Sequence, residues 1–277
     1  MGLTVRIAVT GDLHYDPRGN LTTLDKVQSL AKRIRNEDPD AVVIAGDLAH
    51  GLENFKDCLS YFEGFNVPVG VIAGNHDLWR DLQSGYSSLD LWRKHLRRAV
   101  EDAGAIWLEK ENIFMSQVAI VGSLAWYDYS GLDPGLALST AELARLKPQV
   151  NNDGSWIKWK FSDPEFAGIL LDGLRLRLRK AATRTSVSHI IVVTHVPILD
   201  GQIVRKPQDA AWAAGNAYFG NLTAGSAVLS EPKVRVIVSG HTHIGREGVV
   251  ERFDAPPVRF YVVPSEYGRP EYLLIEI

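Results

Sequence analysis

Apolar segments that each end in a small group of polar residues recur along this chain, and they constrain its fold more than any other feature. The clearest one runs from Val69 to Trp79 and reads VGVIAGNHDLW. Its apolar half predicts a buried strand, and polar residues that directly follow such a strand lie where open α/β sheets place their sites. The amide of Asn75, the imidazole of His76 and the carboxylate of Asp77 could bind a metal, donate a proton and orient that donor.

The first part of the chain predicts alternating strands and helices. The β-branched segment Thr4–Thr10 and the apolar segment Ala41–Ala45 indicate two strands that precede the one at Val69. The residues between the strands have the apolar spacing of helices, over Leu21–Arg35 and Glu53–Phe65. This β-α-β-α-β order implies a parallel sheet with right-handed crossovers.

The rest of the chain predicts two long helices and a sheet that is not wholly parallel. We expect helices over Ser87–Ala103 and Phe166–Ala182, with the arginines of Leu174–Arg179 on the solvated face of the second helix. Only two residues separate the β-type segments Asn112–Met115 and Val118–Gly122, which suggests a meander or a hairpin. Further strands are expected at Ala105–Leu108, His189–Val193, Val234–Ser239, Val258–Val263 and Tyr272–Ile277.

Two segments, 123–163 and 199–230, interrupt this pattern with aromatic residues among Gly, Ala, Asp, Asn and Pro. We interpret both as excursions from the main sheet. The first could line or cap a cleft, or it could be a loop held in place by its own aromatic side chains. The sequence leaves these two interpretations open.

The composition limits the classes of function. With 277 residues, 45% of them hydrophobic and 23% charged, the chain has the make-up of a globular protein with a real core. Its formal net charge of −3 lacks the positive field that a sequence-independent nucleic-acid binder needs. Cys58 is the only cysteine, which excludes an internal disulfide, and no apolar stretch is long enough to span a bilayer. We therefore expect a cytoplasmic protein without membrane or strong nucleic-acid partners.

Polar motifs follow five of the predicted strands. The residues in them that could bind metal ions are Asp12, His14, Asp47, Asn75, His195, His241 and His243. Each motif alone is weak, since a turn aspartate or a surface histidine would explain it, but all five together are difficult to explain in that way. Carboxylate, imidazole and amide ligands without sulfur suit Mn, Fe or Zn better than a thiolate zinc site. Seven ligands are too many for one ion and suit two ions that share a bridging carboxylate.

The motifs DLH, GDLAH, GNHD, THVP and GHTH, in this order from Asp12 to His243, resemble those of the calcineurin-like metallophosphoesterase family. They are most similar to its cyclic-nucleotide-phosphodiesterase-like branch. The combination is highly specific and spans nearly the whole chain except the two excursions. The resemblance implies an α/β fold of four layers, in which two packed mixed β-sheets are flanked by α-helices. We therefore expect one metallophosphoesterase domain over residues 1–277.

The same resemblance implies a role for each residue. One metal ion would be held by Asp12, His14, Asp47 and His243, and the other by Asp47, Asn75, His195 and His241. A hydroxide between the two ions would attack phosphorus. His76 would stabilise the transition state or protonate the leaving oxygen, and Asp77 would orient His76 by accepting its other ring N–H. His50 has no place in this scheme.

The function that this resemblance implies is hydrolysis of a small phosphodiester, and a cyclic nucleotide is one candidate. A phosphomonoesterase or protein phosphatase with the same centre is the main alternative. A non-catalytic interaction module that keeps the fold is a third alternative, and a DNA nuclease is a fourth that the mild acidity disfavours. The excursions would determine what enters the site, so the sequence does not name the substrate.

Overall fold

A computed structural model describes residues 4–17, 22–80 and 84–277 of the chain. Its strands are β1 (Arg6–Thr10), β2 (Ala41–Ala45), β3 (Val69–Ile72), β4 (Ile106–Trp107), β5 (Ile113–Met115), β6 (Val118–Ser123), β7 (His189–Thr194), β8 (Val234–Ser239), β9 (Arg246–Val250), β10 (Val258–Val262) and β11 (Tyr272–Glu276). Its α-helices are α1 (Leu24–Asn36), α2 (Leu52–Ser60), α3 (Ser88–Asp90), α4 (Leu96–Asp102), α5 (Thr140–Val150), α6 (Asp153–Trp156), α7 (Asp163–Ala182), α8 (Ala210–Gly215) and α9 (Leu222–Leu229). A π-helical turn over Leu91–His95 joins α3 to α4. None of the helices in the described ranges is long and apolar enough to cross a membrane.

The strands form two mixed sheets. The first sheet has the order β11-β1-β2-β3-β4, in which β1 to β4 are parallel and β11 runs antiparallel to β1. The second has the order β5-β6-β7-β8-β10-β9, with four parallel central strands and an antiparallel strand at each edge. The antiparallel pair of β5 and β6 is the predicted hairpin.

Both faces of each sheet are covered, which explains the nearly continuous apolar strands. Ile7 and Val43 of the first sheet pack with Ile191 of the second in a cluster between the sheets. On its other face, the first sheet packs against α1 and α2, and the second sheet packs against α7 and α9. This helix–sheet–sheet–helix arrangement confirms the predicted four-layer α/β fold.

Most predicted elements are present, with shifted ends. Helix α1 begins at Leu24, and the predicted start at Leu21 lies outside the described residues. Helix α2 ends at Ser60 and not at Phe65, because the chain turns there and Gly64 has a left-handed φ of 71°. Strand β9 is not predicted by the sequence pattern, since it is a largely exposed edge strand without an apolar run.

The side chain of Arg177 corrects the prediction that the arginines of α7 are solvated. It is buried, its guanidinium donates to the carbonyl oxygen of Gly122 at 3.0 Å, and it lies 3.4 Å from the carboxylate of Glu109. A buried charge requires such a partner, and the hydrogen bond to Gly122 of β6 joins α7 to the second sheet. Arg175 and Arg179 are exposed, as expected.

The segment 123–163 is fixed by its own aromatic residues and also borders a cavity. The ring N–H of Trp126 and the hydroxyl of Tyr129 donate to Asp163, which also binds the Lys147 ammonium group at 2.6 Å. Each of these groups is buried, so the contacts hold the segment firmly. Further along the segment, Asp153 lines the cavity at the edge of the first sheet.

Candidate metal centre

The seven predicted ligand residues meet where the carboxyl ends of the two sheets come together. Asp12, Asp47 and Asn75 follow the neighbouring parallel strands β1, β2 and β3, so they lie along one edge of the first sheet. His195 follows β7, and the GHTH motif follows β8, which is the neighbour of β7 in the second sheet. Parallel strands thus carry ligands from distant parts of the sequence to one place.

Five of these residues have a left-handed backbone. The φ angle is 54° at Asp12, 49° at His14, 53° at Asp47, 73° at His241 and 56° at His243. A non-glycine residue in this region is strained by roughly 1 kcal/mol or more. Strain concentrated in one cluster indicates that the surrounding structure holds the backbone in the conformation that brings these side chains together.

Two glycines allow the loops after β2 and β3 to touch. Gly46 has a φ of 89°, and a Cβ atom there would lie 2.5 Å from the nitrogen of Gly74. A Cβ atom on Gly74 would in turn collide with the carboxylate and the backbone nitrogen of Asp47. The close approach of these loops therefore requires both glycines.

Gly74→Ala is accordingly expected to lower the free energy of unfolding by about 2–3 kcal/mol, because neither loop can move away without breaking the cluster. Chemical denaturation measures this change. Gly168→Ala is the matched control, since no atom lies within 4 Å of its Cβ position on α7. That variant should be more stable than the wild type by up to about 1 kcal/mol, because alanine favours the helix. Equal stability of the two variants would contradict the prediction.

Backbone carbonyls fix the orientation of two histidine rings. His195 Nδ1 lies 2.9 Å from the carbonyl oxygen of Ala45, and His241 Nε2 lies 3.0 Å from that of Tyr218. A carbonyl oxygen only accepts, so each of these nitrogens carries a proton. The opposite nitrogens, His195 Nε2 and His241 Nδ1, face each other at 3.2 Å.

The amide oxygen of Asn75 faces the same two nitrogens. Its Nδ2 donates to Asp153 Oδ1 at 2.9 Å, which leaves Oδ1 2.9 Å from His195 Nε2 and 3.0 Å from His241 Nδ1. The lone pairs of these three atoms, Asn75 Oδ1, His195 Nε2 and His241 Nδ1, therefore face one another, and they require a shared cation between them. That cation can be a proton or a metal ion, and two imidazoles with an amide oxygen suit a transition metal.

Asp47 lies between this group and a second one. His14 Nε2 is 2.9 Å from His243 Nε2 and 4.0 Å from Asp12 Oδ1. Asp47 Oδ2 lies 3.4 Å from His14 Nε2 and also 3.4 Å from His195 Nε2. One carboxylate oxygen therefore borders both groups, as a bridging ligand would.

The separations within the cluster fit bound metal ions. Three sets of side chains each place their potential ligand atoms within 4.8 Å of one another. The sets are Asp12, His14 and His243; Asp12, Asp47 and His195; and His14, Asp47 and His76. Neighbouring ligands around an ion with bonds of about 2.1 Å are about 3.0–3.4 Å apart. The buried nitrogen and oxygen donors of this site therefore match the divalent ions that the sequence predicts.

The buried charges of the cluster depend on one another. Burial opposes ionisation of Asp47, but His195 and other imidazoles hold the pKa of its carboxyl well below the usual range. Burial likewise opposes the cationic form of His195, yet Asp47 raises the pKa of His195 to about 9. Burial and the nearby His195 lower the pKa of His241 to about 4. Without metal, the shared proton thus resides on His195, and a bound metal ion would displace it.

Asp77 contacts backbone N–H groups and not the ring of His76. Its Oδ2 accepts from the nitrogens of Asp47 and Gly74, both at 2.8 Å, and its Oδ1 accepts from Ala49 at 3.1 Å. Among the residues described, no hydrogen bond joins this carboxylate to the His76 imidazole, which corrects the expectation that Asp77 orients His76. Buried N–H groups need acceptors, so Asp77 joins the loops after β2 and β3. Burial and the neighbouring Asp47 raise its pKa to about 7.

The imidazole of His76 borders the cluster and is held by other rings. It stacks on Trp79 with centroids 3.7 Å apart, and it meets His14 edge-on at 4.4 Å. Burial lowers the pKa of His76, which favours a neutral ring. The ring also lines a cavity of about 370 Å³, into which a substrate could bring a phosphate group.

Asp153 is a functional candidate that the sequence motifs do not include. Its Oδ1 accepts from Asn75 Nδ2 and from Trp79 Nε1, and its Oδ2 accepts from the Tyr127 hydroxyl. A carboxylate that binds a ligand side chain in this way fixes which atom of that ligand faces the metal. The only signal in the sequence is the polar group Asn151–Asp153 within an excursion, and it does not point to Asn75.

Two further side chains support the centre through their rings. Tyr267 stacks on His243 with centroids 4.8 Å apart and lies 4.6 Å from the ring of His14. His50, which the sequence analysis leaves unassigned, contacts the rings of Trp79 and Trp156 edge-on. His50 therefore supports the aromatic stack beneath His76.

A four-layer α/β fold with a buried cluster of nitrogen and oxygen ligands at the ends of both sheets is the arrangement of a metalloenzyme. The model of the calcineurin-like phosphoesterase family matches residues 5–245 of this chain. The chain belongs to that family, and it is a metal-dependent phosphoester hydrolase.

Solved structures share this fold over almost their whole length. One is the phosphopantetheinyl hydrolase from Mycobacterium tuberculosis, with 22% sequence identity and a TM-score of 0.71, covering 99% of this chain and 97% of that one. Another is a dimetal phosphatase from Danio rerio, with 16% identity and a TM-score of 0.57, covering 98% of each chain. Curated protein sequences give no match. At these identities, the likeness to the solved structures establishes the fold alone.

Proposed function

We propose that this protein hydrolyses a small phosphodiester at a centre of two metal ions. One ion would be held by Asp12, His14, Asp47 and His243, and the other by Asp47, Asn75, His195 and His241. The position of Asp47 Oδ2, at 3.4 Å from a ring nitrogen of each group, supports its role as the bridge. Mn, Fe and Zn all accept such ligands.

The chain contributes His76 to the reaction. Two bound ions supply an activated water nucleophile and neutralise charge on the phosphate oxygens. His76 lines the cavity, and its contacts with Trp79 and His14 fix the plane of its ring. We infer that this ring donates a proton to the leaving oxygen. The negative charge of the substrate favours the protonated ring, which offsets the effect of burial on its pKa.

The main observation in favour of a diester is that two cavities meet at the ligand cluster. This cluster is formed by the candidate ligands Asp12, His14, Asp47, Asn75, His195, His241 and His243. The larger cavity, of about 370 Å³, is lined by His76, and the smaller one, of about 130 Å³, is lined by Trp212. The residues that line both are Phe219, His241 and Thr242. A phosphate bound at the cluster can therefore direct one organic group into each cavity, whereas a monoester has only one such group.

The charge of the cavities also favours a diester over a monoester. None of the described residues that line them is Lys or Arg. A phosphomonoester carries more negative charge than a diester, and proteins usually bind such groups with Arg or Lys. Among the described lining residues, only imidazoles could add positive charge to that of the bound metal ions, which suits a singly charged ester.

A substrate screen with the metal-reconstituted protein tests the proposal. Bis-(p-nitrophenyl) phosphate and p-nitrophenyl phosphate share a leaving group, so they compare a diester with a monoester directly. We expect kcat/KM to be at least about tenfold higher for the diester, since a 1.4 kcal/mol difference in transition-state binding suffices. The opposite order would assign the protein as a phosphomonoesterase. No hydrolysis of either ester by protein reconstituted with Mn, Fe or Zn would contradict the proposal.

The search for the natural substrate compares phosphodiesters that differ in the organic groups they carry. Cyclic nucleotides belong in the screen because the sequence motifs are most similar to those of the cyclic-nucleotide branch. A phosphopantetheinyl ester also belongs there, because one solved structure of this fold is named for hydrolysing that group. Because the two cavities differ in size and lining, we expect strong discrimination among these groups.

A small phosphoester is the proposed partner, and a nucleic acid is not. The formal net charge is −3, and the described lining of both cavities contains no cationic Lys or Arg. A nucleic-acid strand would therefore find no Lys or Arg among the described lining residues of these cavities to bind its phosphates. Tight binding of a DNA oligonucleotide at low salt would contradict this proposal. The cytoplasmic location stays a prediction.

Asp153→Ala is expected to weaken metal binding by about 10–100-fold, because the amide of Asn75 would lose the contact that turns its oxygen toward the cluster. Titration of activity with Mn²⁺ measures the effect, and excess Mn²⁺ should restore most of the rate. Asp128→Ala is the control within the same excursion, because the carboxylate of Asp128 binds Ser130 and not the cluster. Wild-type metal affinity in the Asp153→Ala protein would show that Asn75 needs no such support.

A further inference from the structure

The smaller cavity is lined by buried polar groups for which the described part of the chain provides no hydrogen-bond partner. Its apolar walls are formed by Ile203, Val204, Trp212 and Phe219. Asn216 also lines this cavity, and its side chain is fully buried. Among the described residues, neither Nδ2 nor Oδ1 of this amide has a hydrogen-bond partner. The buried hydroxyl of Thr242, which lines both cavities, is likewise without a partner in the part of the chain that the structure describes.

A nearby asparagine shows what a structural amide looks like in this fold. Asn221 is only 2% exposed, and its Nδ2 donates to the carbonyl oxygen of Trp126 at 2.7 Å. Its Oδ1 accepts from the backbone nitrogen of Ala224 at 2.8 Å, which caps α9. Most buried polar groups are satisfied in this way. The amide of Asn216 has no such partner within residues 4–17, 22–80 and 84–277, so fold stability does not account for it.

The walls of this cavity are fixed and lead to the ligand cluster. Trp212 is held by a hydrogen bond from its ring nitrogen to the carbonyl oxygen of Val204 at 2.7 Å. Phe219 meets the ring of Trp212 edge-on at 6.0 Å and the ring of His241 at 5.9 Å. A group bound beside these rings would therefore lie next to a phosphate at the cluster.

We propose that this cavity binds an uncharged, amide-like group of the substrate, with Asn216 as the residue that recognises it. The proposal rests on the proposed phosphodiesterase function. An asparagine amide presents an N–H donor and a C=O acceptor side by side, so its complement is a group with an acceptor and a donor in the same arrangement. The apolar walls favour a neutral group, because a charged one would lose its hydration without gaining an ionic partner.

Two kinds of substituent carry this donor–acceptor pair side by side, namely a primary carboxamide and the edge of a pyrimidine base. Both can pair with Asn216, and a planar group can also stack on the ring of Trp212. A comparison of an ester that carries the carboxamide with one that carries the pyrimidine base therefore shows which of the two groups the cavity prefers. An alkyl ester of equal size serves as the reference.

The test compares three p-nitrophenyl diesters in the Mn²⁺-loaded full chain. Their second substituents are 3-carbamoylpropyl, 4-methylpentyl and 5′-thymidyl, and the first two have the same number of non-hydrogen atoms. We expect kcat/KM of the wild type to favour the carboxamide or the thymidine ester over the alkyl ester by about tenfold or more. Asn216→Leu, which keeps the size of the side chain, should abolish that preference. A preference that survives in Asn216→Leu, or none in the wild type, would overturn the proposal.

Thermal stability separates recognition from a structural role. Asn216→Leu should leave the melting temperature unchanged or raise it, because it replaces an unpaired buried amide by an apolar group. Asn221→Leu is the matched control and should lower the melting temperature, because it removes two hydrogen bonds and the cap of α9. An equally large decrease in both variants would assign Asn216 to the structure and overturn the proposal.

A binding measurement keeps this proposal distinct from the proposed function. If no diester is hydrolysed, calorimetry can compare 3-carbamoylpropyl phosphate with 4-methylpentyl phosphate on the Mn²⁺-loaded protein. Tighter binding of the amide that Asn216→Leu abolishes would support the cavity as a recognition site even though the proposed function had failed. Equal binding of the two phosphates would overturn the inference. Hydrolysis of all three diesters at equal rates would overturn it as well, and would leave the proposed function intact.

Discussion

The Asp47→Asn variant is expected to fold normally and to lose at least about 1,000-fold in kcat/KM. The substitution keeps the shape of the side chain. In the wild type, Asp47 Oδ1 accepts a hydrogen bond from the backbone nitrogen of His76 at 2.8 Å, and the amide oxygen of an asparagine can accept the same bond. The substitution removes the negative charge that lies between the two groups of ligands. Two metal ions contribute several kcal/mol of charge stabilisation to such a reaction, which corresponds to three or more orders of magnitude in rate.

Metal content and activity are measured together for this variant. We expect fewer than two bound ions per chain by mass spectrometry of the reconstituted protein, because the remaining donors no longer share an anionic bridge. Asp163→Asn is the control, since Asp163 is also a buried carboxylate with Trp126, Tyr129 and Lys147 as partners. It should lower stability and leave the metal content normal. A rate that is independent of Mn²⁺ and survives Asp47→Asn would refute the two-metal proposal.

The meeting of the seven candidate ligand residues could be predicted because they follow strands. A strand is visible in the sequence as an apolar run, and parallel strands place their carboxyl ends at one edge. Asp12, Asp47 and Asn75 thus follow from the β-α-β-α-β order of the first sheet. The second sheet adds His195 and the GHTH motif by the same rule. Polar residues at strand ends carry positional information that residues in loops lack.

The residues that support the cluster could not be predicted, because nothing in their local sequence reveals their partners. Asp153 lies 78 residues from Asn75, and its role depends on how the excursion 123–163 folds back over the first sheet. Asn216 and Asn221 have the same side chain on the same excursion, yet among the described residues the amide of Asn216 has no hydrogen-bond partner, whereas both Nδ2 and Oδ1 of Asn221 have one. That distinction exists only in the packed structure.

Asp77 shows the same limit within a motif. The spacing in GNHD places a carboxylate beside His76, which suggests a pair of hydrogen-bonded side chains. The tight turn after β3 instead directs the carboxylate to the nitrogens of Gly74 and Asp47. Adjacency in sequence does not establish contact between side chains when the backbone turns, so the loops, and not His76, determine the role of this residue.

The His76→Ala variant is expected to lose about 100- to 10,000-fold in kcat for a diester with an alkoxide leaving group, the usual contribution of a general acid. With p-nitrophenolate as the leaving group, the loss should be about tenfold or less, because that anion leaves without being protonated. His189→Ala is the control, since His189 lies at the start of β7 and its ring contacts Ser188. It should change neither rate appreciably.

The dependence on the leaving group also separates proton donation from metal binding. A ring nitrogen of His76 lies within 4.8 Å of ligand atoms of His14 and Asp47, so the ring could serve as a metal ligand instead. If His76 is a metal ligand, every substrate needs it. Its removal would then lower the metal content, and the rate would fall equally for both leaving groups. A proton donor would be needed only for the poor leaving group, and its removal would leave the metal in place. Equal losses with reduced metal content would therefore assign His76 to the metal centre and contradict its role as an acid.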